Sequence, residues 1–330
     1  MSKKSKDKLS FVFKKTNDLN DQQINQINNL FNLTFQQQLK KPRDKEQFKF
    51  KYSKNFMNFS FHGLMINENH QIVGCYNVIP YEFIFFSKKK IFGQSVDTTI
   101  HADYKGNIYN LKKLANIVYE NLQKAGVSVV YGLANKKFYL VKKKILGWSD
   151  IGKLNYYVLP INVKKFYKIF YFINNLFFIF IKLLIKFKIK KKEKYNFNIS
   201  KIYNENFHSS RYDKNYQVLE EGECKIIFKE INHKKYDNAK IVYIIDVIPL
   251  SKINIELSVN KILKALPSTD LIIYVGNLRS VPANLLKVPK FLLKKKQTII
   301  SGKILNSAEV DDSIFKISNW SINLSNFDII

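Results

Sequence analysis

The sequence predicts an α+β protein in which helices flank a mixed, mostly antiparallel sheet. Two observations point to this class. Several short apolar runs in the first hundred residues alternate with a period of two and are separated by turn residues, as antiparallel strands are. Residues 94–131 then read as strand, polar loop, helix and buried strand. A sheet of hairpins that continues into alternating helices and strands is typical of a layered α+β domain.

The elements before residue 94 follow from periodicity and from turn residues. Apolar residues at helical spacing behind Asn20 and Asp21 predict a helix over 20–35. The segment 47–58 is rich in Lys and is interpreted as an exposed basic loop. Strands are predicted over 59–66, 71–79 and 81–87, separated by polar residues, by Pro80 and by lysines.

The functional interpretation depends on the next stretch. Val96, Thr98 and Ile100 alternate with polar residues, which predicts a half-buried strand that ends at Ile100. The elements that follow are, in order, a polar loop (101–107), a helix (109–124, ended by Gly126) and a buried strand (127–131).

A polar loop that leads from a strand into a helix is a typical anion site. The first N–H groups of a helix have no partner within it, and they lie at the positive end of the helix dipole. Gly106 gives the loop a flexible backbone, and Lys105 adds a full positive charge beside it. The loop therefore predicts binding of a phosphate or a pyrophosphate.

The same residues resemble a known family. The motifs are Val96-Asp97-Thr98 with His101-Ala102-Asp103-Tyr104-Lys105-Gly106, then Tyr131-Gly132-Leu133-Ala134-Asn135, then Leu146-Gly147-Trp148. Together they look like the GCN5-related N-acetyltransferase (GNAT) superfamily, and most like its branch in bacterial polysaccharide and surface-glycan gene clusters. The resemblance is strongest from Phe59 to Pro160. It implies that the loop and the helix N-terminus hold the pyrophosphate of acetyl-CoA, and that the diverging fourth and fifth strands admit the pantetheine arm.

The resemblance also implies individual site residues. An oxyanion-binding N–H of the fourth strand maps near Ile100, Asp97 is the candidate base, and Tyr139 is the candidate acid. The residues expected to contact acetyl-CoA, or a related acyl-CoA, are Ile100, His101, Lys105, Gly106, Asn107, Ile108, Tyr109 and Asn135. No metal site is expected, because the histidines show no ligand spacing with the cysteines.

Three regions are predicted along the chain. Residues 1–160 form the acetyltransferase domain, residues 161–195 a basic, apolar amphipathic helix or linker, and residues 196–330 a second, degenerate domain of the same type. The second domain lacks a Gly-rich loop after a strand. It is therefore interpreted as an acceptor-side or structural half.

The middle region is apolar from residue 166 to 187 but carries a polar stripe. The members of the stripe are Lys164, Lys168, Asn175, Lys182 and Lys186, which fall on one side of a helix. A membrane-spanning helix would have to bury these lysines at a cost of about 3 kcal/mol each near the bilayer centre. Packing between the domains or peripheral contact with an anionic membrane explains the stripe better.

The amino-acid composition limits which binding partners and which cellular location are expected. The formal net charge of +29 suits an anionic partner, but the abundance of Lys, Asn, Ile and Phe equally indicates the codon bias of an AT-rich genome. Nothing except this charge supports nucleic-acid binding. Cys75 and Cys224 lie in apolar runs and are expected to be reduced. The basic N-terminus has no apolar segment behind it, so a cytoplasmic protein is expected, with the inner membrane face as an alternative site.

The function expected from these observations is acyl-CoA-dependent N-acylation of an amino group, on an amino sugar or a surface-glycan precursor. Two alternatives remain open at this point. The family's second glycine is replaced in the run Asn107-Ile108-Tyr109, which would suit a non-catalytic binding or scaffold protein. The long basic segment and the paired domains would also suit an aminoacyl or peptidyl transferase of the Fem type.

Overall fold

The structure is a computed structural model that describes residues 8–37, 41–133, 136–166, 195–212, 215–293 and 298–327. The chain forms two compact units, and each is assembled from segments that are not contiguous in sequence. The first unit comprises Met1–Gly152, Ile199–Arg211 and Ile299–Lys316. The second comprises Lys153–Asn198, Tyr212–Thr298 and Ile317–Ile330.

The first unit is built on a mixed sheet. Its strands are β1 (Ser10–Lys15), β2 (Phe61–Ile66), β3 (Ile72–Phe85), β4 (Lys88–Ile100), β5 (Val127–Leu133), β6 (Ser149–Lys153), β8 (Ile199–Lys201) and β14 (Ile299–Ile304). They are ordered β1-β2-β3-β4-β5-β14-β6, and β8 pairs with the far end of β3. Strands β1 to β4 are antiparallel neighbours, whereas β4 and β5 run parallel. This is the predicted mixed, mostly antiparallel sheet.

Helices of the first unit pack against this sheet. They are α1 (Asp21–Phe35), α2 (Lys45–Ser53), α3 (Ile108–Lys124), α4 (Lys136–Ile145) and α5 (Glu205–Arg211). Helix α1 is capped by Asn20, as its sequence predicts, and Gln23 completes a capping box. Helix α3 packs one apolar face, which includes Leu114 and Val118, on the sheet residues Val127 and Val130. This packing fixes the N-terminus of α3 beside the end of β4.

Two local predictions are wrong. The segment expected to be an exposed basic loop is helix α2, in which Phe48 and Tyr52 are fully buried. The many charged residues of this segment suggested an exposed loop, but Phe48 and Tyr52 are four positions apart and so lie on one face of a helix. The expected break at Pro80 is also wrong, since β3 runs through it and Pro80 pairs with Gly93 of β4. On its other side Pro80 falls between the segments of β3 that pair with β2 and with β8, so no partner there needs its missing N–H.

The second unit has a sheet of its own. Its strands are β7 (Asn155–Pro160), β9 (Gln217–Glu221), β10 (Cys224–His233), β11 (Ala239–Ile248), β12 (Leu271–Gly276) and β13 (Leu286–Lys287), ordered β13-β7-β12-β11-β10-β9; β15 (Trp320–Ser321) also belongs to this unit. Helix α6 (Lys252–Ala265) covers one face through Ile255, Val259 and Ile262. Two sheets flanked by helices are consistent with tandem GNAT-like domains.

The linear boundaries predicted from sequence differ from these units. Strand β7 was expected to end the first domain, but it pairs with β12 in the second sheet. Strand β14 was assigned to the C-terminal half, but it pairs with β5 in the first sheet. Long-range strand pairing of this kind leaves no local signal in the sequence.

In the second unit, the parallel strands β11 and β12 separate after Ile244 and Tyr274. Beyond that point the buried Asp246 carboxylate accepts a hydrogen bond from Asn323 Nδ2 at 2.8 Å, and Asn323 also forms a bridge with Gly276. The chain's own residues thus fill the space where these strands part.

Two predicted features lie wholly or mainly outside the described residues. They are Asn135 and residues 167–194 of the amphipathic segment. Within the described ranges, no helix has the length and apolar character needed to span a bilayer.

Candidate active site

The parallel strands of the first sheet, β4 and β5, part before their ends. The last residue pair between β4 and β5 is Gln94 with Tyr131. Beyond it both strands continue, and the described residues show no further pair between them. We call the opening between residues 95–100 and residues 132–133 the strand fork. Such a fork leaves unpaired backbone groups on both sides, which suits an extended, amide-containing ligand.

A β-bulge in β4 opens the fork. The register between β3 and β4 shifts between Cys75 and Asn77, which leaves an extra residue in β4. Asp97, within this bulge, has a φ of +45°, a left-handed conformation that is uncommon for residues other than glycine. Bulges bend a strand and increase its twist. The bulge therefore turns β4 away from β5 just beyond their last pair.

Side chains hold the bulge in this conformation. Asp97 Oδ2 accepts hydrogen bonds from Arg43 Nη1 and from the Tyr52 hydroxyl, each at 2.7 Å, and forms an ion pair with Lys51 Nζ at 2.9 Å. The Arg43 and Asp97 side chains are only 7% and 14% exposed. Sequence analysis proposed Asp97 as the base. The structure gives it two cations and a hydroxyl on one oxygen, an arrangement suited to positioning the bulge.

A second layer of polar groups supports the bulge from the core. Asn77 Nδ2 donates to the backbone oxygen of Asp97 at 3.2 Å. His62 is fully buried between Asn77 and Thr16, with its ring nitrogens 2.8 and 2.9 Å from their side-chain oxygens. Burial lowers the pKa of His62 to about 4, and the positive charge of Arg43 acts in the same direction. His62 is therefore neutral near pH 7.

Backbone alternation directs one amide into the fork. The N–H of His101 donates to the Val73 oxygen of β3 at 2.8 Å. Because successive N–H groups of a strand point to opposite sides, the N–H of Ile100 faces away from β3, on the side of the fork. This is the orientation that the predicted oxyanion-binding group requires.

The loop after β4 presents further amides. A short 3-10 turn, Ala102–Tyr104, is followed by Gly106 with a φ of +99° and then by α3. The described residues offer no hydrogen-bond acceptor to the N–H groups of Gly106, Asn107 and Ile108. These amides and the exposed Lys105 lie at the N-terminus of a 17-residue helix. Together these groups favour the binding of an anion such as a diphosphate.

The residues that replace the family's second glycine do not close this corner. The Asn107 side chain turns back to cap α3, accepting from the Tyr109 N–H at 3.1 Å. Ile108 and Tyr109 are 53% and 63% exposed, and a Cβ atom on Gly106 would meet no atom within 4 Å. The Tyr109 amide is thus occupied by the cap, whereas none of the three amides before it donates to a residue that the structure describes.

Two other predicted site residues, Tyr139 and His101, make local contacts. Tyr139 donates to the Asp150 carboxylate at 2.8 Å, and this hydrogen bond raises the pKa of the Tyr139 hydroxyl. The His101 ring accepts from the Asp103 N–H at 3.4 Å, as a turn residue does. The roles expected of Tyr139 and His101 stay predictions.

An ionisable group that is not among the predicted site residues lies beside the first residues of the fork, although the acid position implied by the resemblance maps near Lys142 or Lys143. Lys142, on α4, is 2% exposed, and its Nζ lies 3.5 Å from Ser95 Oγ and 4.0 Å from the centre of the Trp148 ring. Burial lowers the pKa of Lys142 from 10.5 to about 7. Lysines on both sides of it in the sequence concealed its burial, although Trp148 was already part of a recognised motif.

Comparison with known proteins agrees with the fold. Residues 15–149 match the model of the acetyltransferase (GNAT) domain family. This range covers less than half of the chain and contains α1 to α3, the strand fork and the loop at Gly106. No curated protein sequence matches significantly.

Solved structures resemble a larger part of the chain. A GCN5-related N-acetyltransferase from Anabaena variabilis matches with a TM-score of 0.57 and 11% identity, covering 89% of this chain and 73% of that one. A second, from Kribbella flavida, matches with a TM-score of 0.57 and 7% identity, covering 91% and 72%. Eis1 from Mycobacterium abscessus matches with a TM-score of 0.52 and 8% identity, covering 90% of this chain and 73% of that one. At such identities the likeness concerns the fold.

The chain thus has a GNAT fold, with mixed sheets flanked by helices. The strand fork and the α3 N-terminus both lie within residues 15–149, the part of the chain that is similar to the GNAT acetyltransferase domain.

Proposed function

We propose that this protein transfers an acyl group from an acyl-CoA to an amino group, with acetyl-CoA as the donor. One observation carries the proposal: an open strand fork lies in the same unit as a helix N-terminus at which three amides donate to no acceptor of the described residues. CoA has the matching chemistry, because its diphosphate suits the helix N-terminus and its pantetheine amides suit unpaired strand backbone.

The structure also suggests how the residues share the work. The amides of Gly106 to Ile108, with Lys105, bind the diphosphate. The N–H of Ile100 donates to the oxyanion that forms when the amine attacks the thioester carbonyl. Asp97 acts through the bulge, and its ion pairs keep β4 turned out of the fork. The chemistry therefore depends mainly on a preformed backbone.

The acceptor that we propose is an amino sugar or a surface-glycan precursor, the class implied by the sequence resemblance. A non-catalytic scaffold is a weaker alternative, because Asn107, Ile108 and Tyr109 leave the corner at Gly106 open. The second unit lends itself to a structural or acceptor-side role, since residues around Asn323 occupy its own strand opening.

Calorimetric titration with CoA tests the donor site. We expect binding by the wild type and weaker binding by Lys105→Glu, which replaces an attractive charge with a repulsive one. Lys124→Glu makes the same charge change at the other end of α3 and should bind CoA as the wild type does. If the wild type shows no binding heat at about millimolar CoA, where an affinity of even −4 kcal/mol would be visible, the proposal is wrong.

Transfer itself is measured by thiol release from acetyl-CoA in the presence of a panel of amines that includes amino sugars. Release that depends on an amine supports the proposal and identifies the acceptor class. The protein's own thiols should not interfere, because Cys75 is fully buried and burial raises its pKa to about 12, while Cys224 is buried as well.

A further inference from the structure

The edge of the second sheet carries an exposed apolar turn that the proposed function does not use. Strand β13 is the outermost strand on one side of this sheet, and a 3-10 turn, Lys290–Leu293, follows it along the chain. We call this 3-10 turn the apolar turn. Its Phe291 and Leu292 side chains are 66% and 67% exposed, and no large apolar side chain in the described ranges is more exposed than Leu292.

Exposed apolar side chains are concentrated in this part of the chain. Among the described residues ten large apolar side chains are exposed, and four of them fall within residues 281–292: Val281, Leu286, Phe291 and Leu292. Single exposed apolar residues are normal on a protein surface, whereas several together mark a place where another molecule binds. The segment 281–292 is therefore a candidate contact surface.

The backbone holds the apolar turn in place. Before the turn, the Val288 N–H donates to the Tyr156 oxygen of β7 at 2.8 Å, which continues the pairing of β13 with that strand. Within the turn, the Leu292 N–H donates to the Pro289 oxygen at 3.1 Å. The turn is thus closed by hydrogen bonds, and the exposure of Phe291 and Leu292 follows from the backbone conformation.

Cations flank the apolar pair on both sides in the sequence. Lys287 and Lys290 precede it and are exposed. From residue 271 to residue 298 the sequence contains six Lys or Arg residues and no Asp or Glu. Three of the six, at positions 294–296, come directly after the turn. A partner of the apolar turn must therefore match a positive surrounding as well as an apolar centre.

The surface of an anionic bilayer has the chemistry that this combination requires. Phe and Leu side chains partition into the boundary between the headgroups and the acyl chains, while lysines extend their ammonium groups to anionic headgroups. A nucleic acid would match the lysines but offers no apolar phase for Leu292. The bilayer surface matches both features.

We propose that the apolar turn is a membrane-contact site, at which Phe291 and Leu292 enter the boundary between headgroups and acyl chains of an anionic bilayer. Lys287 and Lys290 bind the headgroups. This proposal goes beyond the acyl transfer proposed above, which does not require a membrane. It also differs from the peripheral contact expected from the sequence, which concerns the polar stripe from Lys164 to Lys186.

Flotation of the full chain with vesicles measures the affinity. The vesicles consist of phosphatidylcholine with about one third phosphatidylglycerol, and the wild type should bind them more strongly than vesicles of phosphatidylcholine alone. Leu292→Ser should lower the partition coefficient about tenfold, because burial of a leucine side chain contributes at least that factor. Leu33→Ser, on α1, removes a side chain that is 66% exposed and should bind as the wild type does.

A matched pair of lysine variants tests the charge. Lys290→Gln should lower the partition coefficient about fivefold, the contribution of one lysine close to an anionic membrane surface. Lys264→Gln changes an exposed lysine in the last turn of α6, in the same unit. It should have a much smaller effect, because the proposal places only the apolar turn at the membrane.

A tryptophan placed in the turn reports insertion directly. The native residues Trp148 and Trp320 are 2% and 0% exposed, so they do not face the lipid. The fluorescence of Phe291→Trp should be quenched by vesicles whose acyl chains carry bromine. The fluorescence of Leu33→Trp should be unchanged by the same vesicles.

The outcomes separate this turn from other surfaces. If the wild type fails to bind the anionic vesicles, the proposal is wrong, and a protein with an acidic rim becomes the occupant to test. If Leu292→Ser and Leu33→Ser bind equally well, or if Phe291→Trp is not quenched, the contact lies elsewhere on the chain and the proposal is also wrong. A selective loss in Leu292→Ser together with quenching in Phe291→Trp supports it. All of these positions are exposed, so the variants should fold.

Discussion

Arg43 Nη1 lies 2.7 Å from Asp97 Oδ2, which ties the residue just before α2 to the bulge in β4. The guanidinium is also stacked on the Phe31 ring at 3.8 Å, and its Nε donates to Asn28 Oδ1 at 2.7 Å. One arginine thus connects α1, the start of α2 and the strand that opens the fork. The geometry of the proposed site depends on side chains remote from it in sequence.

Replacing Arg43 should therefore destabilise the protein. Arg43→Met leaves the nearly buried Asp97 carboxylate without its main partner, and breaking such a pair costs about 3–5 kcal/mol. Chemical denaturation monitored by circular dichroism would show the loss. Lys45→Met removes an ion pair that involves the exposed Asp21 and should change stability little. Equal stability of the two variants would contradict the role assigned to Arg43.

The buried His62 should make stability fall in mild acid. Its pKa is about 4 in the folded protein and ordinarily 6.5, so the unfolded chain binds more protons between these values. The contribution of neutral His62 to the free energy of unfolding is complete above pH 6.5. It falls by on the order of 3 kcal/mol as the pH is lowered toward 4. Denaturation at a series of pH values measures it.

His62→Gln provides the comparison for that measurement. It retains a polar side chain near Asn77 but has no proton to gain in this range. Its stability should fall less steeply than that of the wild type between pH 6.5 and 4. Parallel curves for the two proteins would show that His62 is not responsible.

Lys142 should make the stability of the protein depend on pH in the alkaline range. Its pKa is about 7 in the folded protein and ordinarily 10.5, so the folded state binds fewer protons than the unfolded state between these values. Stability should therefore increase from pH 7 to 10, by on the order of 3 kcal/mol from this residue. Lys142→Met should be more stable than the wild type at pH 7 and should lack this increase.

Gly106 and Gly126 form a matched pair for testing the loop. Both have positive φ values, +99° and +78°, and open space around the missing Cβ. Alanine at either position should cost about 1 kcal/mol from backbone strain. Only Gly106→Ala should also weaken CoA binding in calorimetry, because only Gly106 lies among the amides that face the anion. Equal loss of CoA affinity in both variants would mean that the effect is general destabilisation.

The sequence predicted the central part of this fold well, for physical reasons. Helix α3 has strong amphipathic periodicity and a glycine after its end, and its observed bounds, Ile108–Lys124, differ from prediction by one residue at the start. The motifs from Val96 to Gly106 are local in sequence, so their arrangement as strand, loop and helix could be inferred. The partners of β7 and β14 could not, since strand pairing over more than a hundred residues has no local signature.

The candidate site was predictable to a similar extent. The positions of the backbone amides at Gly106 and Ile100 follow from the local order of strand, loop and helix, and their role in binding stays a prediction. The contacts of side chains depend on tertiary packing. Asp97 acquired partners from α2, a segment interpreted as a loop, and Lys142 is buried within a lysine-rich helix whose sequence reads as exposed. A single buried lysine cannot be told from its neighbours by composition.

A crystal structure of the protein with CoA tests the central claim most directly. The account predicts the diphosphate within hydrogen-bonding distance of the amides of Gly106, Asn107 and Ile108, and the pantetheine arm between β4 and β5. A CoA molecule bound elsewhere on the chain, with the strand fork still unoccupied, would contradict it.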